Sequence, residues 1–340
     1  AVLCAFMMGL AAGAWVMGRV LARIDREIIP LIRVYGLLEG LIGLYALFFP
    51  FGLSFLETLY PLILPESGQV GLGVHVLEFF LSTLLMFPAT VLMGATLPLV
   101  GYWATGNQKQ NIFTQVSWLY GINTFGAVFG CLFTQFLAIR LWGVQGATGA
   151  AIGLNAVVFI LCLGRPRIFY TADSSPLKVD AKTEKRKKKL ENDVSPAIGV
   201  LVFIMFAYSG MASLSSQILW TRILIFPLGS TLYSFALILS TFLLGIAIGS
   251  LAANKLLGRS HQVLKFVGIE ISIGIFCVAI LPVLANLTEW TALADQYFYS
   301  LEPSAGKTFL IRSLFAFGLM FLPTFGFGLL FPLANHIYSY

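Results

Sequence analysis

Long apolar runs, separated by short polar stretches, set the pattern of this chain. Runs of about 20 or more mainly apolar residues, the length needed to cross a bilayer as a helix, fall near 1–21, 31–52, 74–104, 112–139, 144–164, 197–221, 229–253, 264–287 and 309–335. The runs are continuously apolar and lack the two-residue alternation of a transmembrane β-strand, so the pattern predicts helices. The expected fold is an all-α integral membrane protein, a polytopic bundle of about nine transmembrane helices.

Composition agrees. Of 340 residues, 58% are hydrophobic and only 11% charged, against about 25% charged in a soluble domain. The net charge of +6 is concentrated: nine of the 21 basic residues lie between Arg165 and Lys189, in a polar stretch between apolar runs. That placement fits a cytoplasmic loop beside anionic lipid and argues against a nucleic-acid groove. Alternate loops carry 17 and four basic residues, a positive-inside asymmetry that places the 165–196 linker in the cytoplasm. In this reading residues 1–21 are a mature span. They lack a basic leader region, and Cys4 has no small residue before it to suit a lipoprotein cleavage site.

The chain also repeats itself. Phe6-Met-Met-Gly9-Leu-Ala-Ala-Gly13 matches Phe242-Leu-Leu-Gly245-Ile-Ala-Ile-Gly249 at an offset of 236. Gly36, Glu39 and Gly43 match Gly268, Glu270 and Gly274 in the next run of each half. Thr90-Val-Leu-Met-Gly94-Ala-Thr-Leu-Pro98 matches Thr324-Phe-Gly-Phe-Gly328-Leu-Leu-Phe-Pro332 at an offset of 234. Three matches in the same order predict two parallel repeats: a first over 1–164, the basic linker over 165–196, and a second over 197–340. Residues 197–228 lack a counterpart in the first half and residues 112–164 lack one in the second. The expectation is therefore a six-plus-six plan, truncated by one span in front and two behind, as in major-facilitator-type transporters.

Several motifs together resemble a known family. They are Ser209-Gly-Met-Ala-Ser-Leu-Ser-Ser-Gln217-Ile-Leu-Trp220-Thr-Arg222, the glycine-rich runs at Gly9 and Gly245, Met93-Gly94-Ala-Thr-Leu-Pro98, and Leu119-Tyr120-Gly-Ile-Asn123-Thr124-Phe-Gly126-Ala-Val-Phe-Gly130. This set is similar to the membrane region of bacterial fused transporter-like/spermidine-synthase-like proteins. The resemblance implies a multi-pass protein of the bacterial inner membrane with a cytosolic aminopropyltransferase-like domain after the membrane region. No glycine-rich βα turn with a following acidic residue occurs in these residues, so such activity would lie beyond Tyr340. Partners implied are the bilayer and a synthase-like domain or other membrane subunits, with no nucleic acid.

Candidate chemistry is sparse. Glu39 and Glu270 lie inside apolar runs at matching positions, where a carboxylate costs about 2.5–3.5 kcal/mol on insertion scales. They read either as a cation or proton site, with Asn123 a further intramembrane polar group, or as hydrogen-bonded packing residues. Glu78 and Arg312 align between the halves and read as an inter-repeat ion pair or as two separate side chains reaching toward water. Gln217, Trp220 and Arg222 read as an interfacial anchor or as a gate. Gly9, Gly13, Gly245, Gly249, Gly126 and Gly130 are expected at close helix contacts, and Pro98 and Pro332, like Pro88 and Pro323, at kinks or hinges. Cys4, Cys131, Cys162 and Cys277 form no CxxC pair, and His75, His261 and His336 lie far apart, so no metal or cofactor is expected. Gly306-Lys307-Thr308 lacks the earlier glycine and the strand of a phosphate-binding loop. The functional expectation is a transporter-like module handling a small organic cation such as a polyamine. The alternative is a structural membrane anchor that docks a catalytic domain or a larger membrane complex.

Overall fold

The computed structural model describes residues 2–23, 31–63, 72–105, 112–164, 196–257, 262–299 and 305–338. Most of the basic linker lies outside the described residues. Among them every regular element is helical. In chain order these are α1 (Val2–Leu21), α2 (Leu31–Ile63), α3 (Leu72–Thr105), α4 (Ile112–Phe133), a π-helical turn (Thr134–Ala138), α5 (Ile139–Gly164), α6 (Pro196–Leu228), α7 (Leu232–Leu256), α8 (Gln262–Ala279), α9 (Leu281–Ala285), α10 (Leu287–Tyr299) and α11 (Ala305–Tyr338).

Eight stretches among the described residues are long and apolar enough to cross a membrane, which suggests a multi-pass membrane protein. The longest, Ser117–Gly164, has 48 residues and is not one rod. Gly143 sits at φ 67°, ψ −178° inside it, a conformation essentially restricted to glycine, so the chain turns between the runs expected at 112–139 and 144–164. A second turn, at Gly229 (φ 84°), sets the start of α7. Thr231 then caps that helix by accepting from the Ser234 amide, which puts the first helical residue at 232 rather than 229. One helix was not anticipated. α10 carries Glu289 and too few apolar residues to read as a span, yet it forms a helix of 13 residues.

Contacts divide the chain into two compact units, Ala1–Lys109 with Trp142–Ser175, and Gln110–Leu141 with Pro176–Tyr340. These units and the two sequence halves are different divisions, because α4 belongs to the first half by sequence and to the second unit by contact.

In the first unit α1 packs on α3, and α3 on α2. The α1–α3 crossing is glycine-dependent. A Cβ at Gly9 would lie 1.8 Å from the Thr90 hydroxyl, one at Gly13 would lie 1.9 Å from the Val91 carbonyl oxygen, and one at Gly94 would lie 2.2 Å from that of Leu10. α2 meets α5 along a second seam, with Gly36 against Cys162, Gly40 against the Phe159 ring and Gly43 against Asn155. One series rises as the other falls, so this pair is antiparallel.

In the second unit α7 crosses α11 with the same chemistry. A Cβ at Gly245 would lie 1.9 Å from the Thr324 hydroxyl, one at Gly249 would lie 2.2 Å from the Phe325 carbonyl oxygen, and one at Gly328 would lie 2.3 Å from that of Ile246. Both threonines are buried, and each hydroxyl returns its hydrogen to its own helix: Thr90 to the Met86 and Phe87 carbonyls, Thr324 to those of Met320 and Phe321. A polar group enclosed among apolar helices must be satisfied locally, and this back-bond does so. Around the crossing, Trp220, Leu224, Phe242, Phe266, Met320 and Leu330 belong to one buried cluster.

Prolines lie inside the long helices. α3 runs through Pro88 and Pro98, and α11 through Pro323 and Pro332, each as one helix of 34 residues. Pro332 is fully buried, held among neighbours rather than at an open joint.

Candidate functional site

Glu39 is half-buried on α2, on the turn that packs against α5. The Tyr35 hydroxyl, one turn earlier on the same helix, and the Cys162 thiol of α5 both lie within electrostatic range of its carboxylate. Its place follows from local sequence: Gly36, Gly40 and Gly43 recur at helical spacing and draw α5 close, which brings Cys162 to Glu39's level.

Glu270 is different. It lies on α8 beside the Ile269 and Ile273 side chains that pack on Gly326 of α11. Its Oε1 is buried and has no hydrogen-bond partner among the described residues. An unsatisfied buried acceptor costs about 1–3 kcal/mol, so Glu270 is costly to hold in place. The glycines that flank the matched positions differ as well. Gly36 and Gly43 are covered by α5, whereas a Cβ at Gly268 or Gly274 would meet open space.

Asn123 stands apart from the α4 face that packs on α7. It is exposed on α4, and Gly126 and Gly130 on the same side are also exposed, with no atom within 4 Å of an added Cβ. The close contact expected there is made instead by the opposite face of α4. Thr114 bonds Asn254 at 3.0 Å, Ser250 donates to the Ser117 carbonyl at 3.0 Å, Gly121 packs on Ala247 and Leu251, and the Cys131 thiol points to the Ala236 carbonyl at 3.6 Å. From 114 to 131 this antiparallel α4–α7 seam extends about 26 Å. Its residues on α4 recur every three and four positions (Thr114, Ser117, Gly121, Thr124, Val128, Cys131), as they do on α7 (Ala236, Ser240, Leu243, Ala247, Ser250, Asn254). These are mostly small or weakly polar side chains, which allow helices to approach in an apolar medium.

Glu78 lies 3.3 Å from His75 on its own helix, and Arg312 donates through Nη1 to the Pro227 carbonyl at the end of α6. Glu78 belongs to the first unit and Arg312 to the second. Gln217 and Trp220, expected at an interface, are 7% and 5% exposed. The cause is helical spacing: 217, 220, 224 and 228 share one face of α6, and that face packs into the buried cluster with Leu224 and Leu228. Only Arg222 of that trio is exposed. The four glycines at the two crossings, by contrast, stand at close helix contacts as expected.

One cavity was not foreseen from the sequence. About 460 Å³ in volume, it lies between α10 and α11 and is lined by Trp290, Thr291, Leu293, Tyr297, Ile311, Arg312 and Phe315. Neither Glu39 nor Glu270 lines it. Among the described residues no group of three or more His, Cys, Asp or Glu side chains could hold a metal ion.

Comparison with protein-family models, curated proteins and solved structures gave no match.

Proposed function

We propose that this chain is a multi-pass domain of the bacterial inner membrane, built from two parallel repeats and working as a transporter-like module for a small organic cation such as a polyamine. The observation that carries the reading is the repeated crossing. Gly9, Gly13, Thr90 and Gly94 in one helix pair, and Gly245, Gly249, Thr324 and Gly328 in the other, meet through the same atoms at nearly the same distances. Each pair stands beside a helix that carries one intramembrane carboxylate, Glu39 on α2 and Glu270 on α8. The large exposed side chains support placement in lipid: Phe226 is 83%, Leu84 72% and Phe51 71% exposed. Water would penalise such a surface at roughly 25 cal/mol per Å², and a bilayer would not.

In this reading Glu39 and Glu270 attract the cation, and the basic 165–196 linker stays cytoplasmic. A synthase-like domain following Tyr340 would use or supply the solute, as the family resemblance implies. The test is uptake of radiolabelled spermidine into proteoliposomes. Uptake that falls at least tenfold in Glu39→Gln and in Glu270→Gln supports the proposal. Absent uptake, or uptake unaffected by both changes, overturns it.

One observation favours a structural membrane anchor instead. Glu39 has the Tyr35 hydroxyl of its own helix close by, and among the described residues the cavity at α10 and α11 is lined by no carboxylate. If that reading is right, both substitutions leave uptake at background while preserving association with the catalytic domain or membrane complex.

A further inference from the structure

The α4–α7 seam ends beside an unused donor. Inside the long helices hydroxyls are satisfied by their own backbone: Thr83, Thr124, Thr221, Ser313 and Thr324 each donate to the carbonyl four residues back, a common arrangement for such side chains in a helix. Ser240 of α7 departs from this. It is 3% exposed, and its Oγ has no hydrogen-bond partner among the described residues. The carbonyl four residues back is that of Ala236, and the Cys131 thiol of α4 points to it at 3.6 Å. A carbonyl oxygen has two lone pairs. Within a helix the amide four residues on takes one of them, so thiol and hydroxyl compete for the other.

The thiol is the weaker donor of the two. A weak donor in place beside a buried, idle stronger one is poised to exchange, and the means lies three residues on. The π-helical turn Thr134–Ala138 is closed by the Ile139 amide on the Thr134 carbonyl. It packs on the start of α7, with the Phe136 and Tyr233 rings 5.3 Å apart. A π turn holds an extra residue relative to an α turn. Passing that residue back along α4 beyond Cys131 turns the intervening helix by about 100°, which carries the thiol off Ala236. The Thr114–Asn254 and Ser250–Ser117 bonds at the other end of the seam stay made.

We infer that this end of the α4–α7 seam is a two-state latch. Closed, the Cys131 thiol sits on the Ala236 carbonyl; open, the thiol is turned away and the Ser240 hydroxyl takes its place. The carbonyl keeps a side-chain donor in both states, so the helices part there without leaving it bare. The latch rests on the bilayer reading and not on a carried solute. Its failure leaves the uptake test standing, and absent uptake leaves the latch standing.

The test is infrared absorption of the full chain in phosphatidylcholine nanodiscs, in the S–H stretching region. The Cys131 signal is isolated as the difference from Cys131→Ala. The expected spectrum has two components, a thiol bonded to a carbonyl and a free thiol, the second reporting the open state. In Ser240→Ala the ratio of free to bonded thiol should fall about fivefold, the effect of one hydrogen bond. In Ser240→Thr, which keeps the hydroxyl, it should stay within about twofold of the parent. Labelling of Cys131 by a small maleimide, followed by peptide mass spectrometry, should slow in Ser240→Ala by the same factor. A single component in the parent, a ratio indifferent to Ser240→Ala, or an equal fall in Ser240→Thr overturns the latch. So does a Ser240→Ala protein that fails to fold, because a hydroxyl idle in the closed state cannot be what holds the seam together.

Discussion

Replacing Gly249 with alanine tests the packing argument most directly. The new Cβ would lie 2.2 Å from the Phe325 carbonyl oxygen and 3.0 Å from the Gly328 Cα. Ordinary contact begins at 3.4 Å, so α7 and α11 must separate by about 1.2 Å at the crossing. Both obstructing atoms are backbone and cannot rotate away. A radial gap of 0.5–1 Å already forfeits roughly a quarter to a half of each dispersion contact. In lipid, moreover, helix association depends on such contacts more than on a hydrophobic drive. Overpacking of this kind costs about 1–3 kcal/mol, and the upper half of that range is expected here. Gly245→Ala meets a different obstacle, the Thr324 side chain at 1.9 Å (Oγ1) and 2.7 Å (Cβ), with the Phe325 amide nitrogen beyond it at 3.2 Å. Thr324→Gly removes the first two. A double-mutant cycle should then give a favourable coupling of about 1 kcal/mol or more for Gly245→Ala with Thr324→Gly, and none for Gly249→Ala with Thr324→Gly. The assay is reversible unfolding in mixed micelles by a denaturing detergent, followed by tryptophan fluorescence. A Gly249→Ala protein within about 0.5 kcal/mol of the parent, or one rescued by Thr324→Gly as fully as Gly245→Ala, would refute the reasoning.

The same unfolding assay checks four further expectations. Ser250→Ala removes the bond to the Ser117 carbonyl and should cost about 0.6 kcal/mol, the typical value for an interhelical hydrogen bond in lipid. Gly143→Ala should cost about 1–3 kcal/mol although nothing lies near its Cβ, because its backbone angles disfavour any side chain. Gly126→Ala, equally open but helical, should be neutral or stabilising by up to about 1 kcal/mol. Glu270→Leu should raise stability by about 1 kcal/mol or more, since it deletes the unpartnered Oε1, while abolishing cation uptake if the transporter reading holds; a destabilised Glu270→Leu protein would mean that the carboxylate supports the packing of α8.

Much of this architecture is written in one dimension. Mean hydropathy over a window decides whether a segment can leave water, and that property alone located the long helices and the break between 139 and 144. The matched Gly, Thr and Pro positions also predicted close contacts at Gly9, Gly13, Gly245 and Gly249, because only a missing side chain admits a neighbouring backbone so near. Tertiary structure decided which faces meet. A helix apolar on every side gives no periodic clue to separate lipid from protein, so the exposed Gly126 and Gly130 look the same in sequence as the buried Gly121. Thus α4 lies against α7 through Thr114, Ser117 and Gly121, Trp220 turns inward from its expected interface, and Tyr35 lies near Glu39. Each outcome is a choice among equally apolar faces, made by shape complementarity and local hydrogen bonds rather than by the transfer out of water that hydropathy measures.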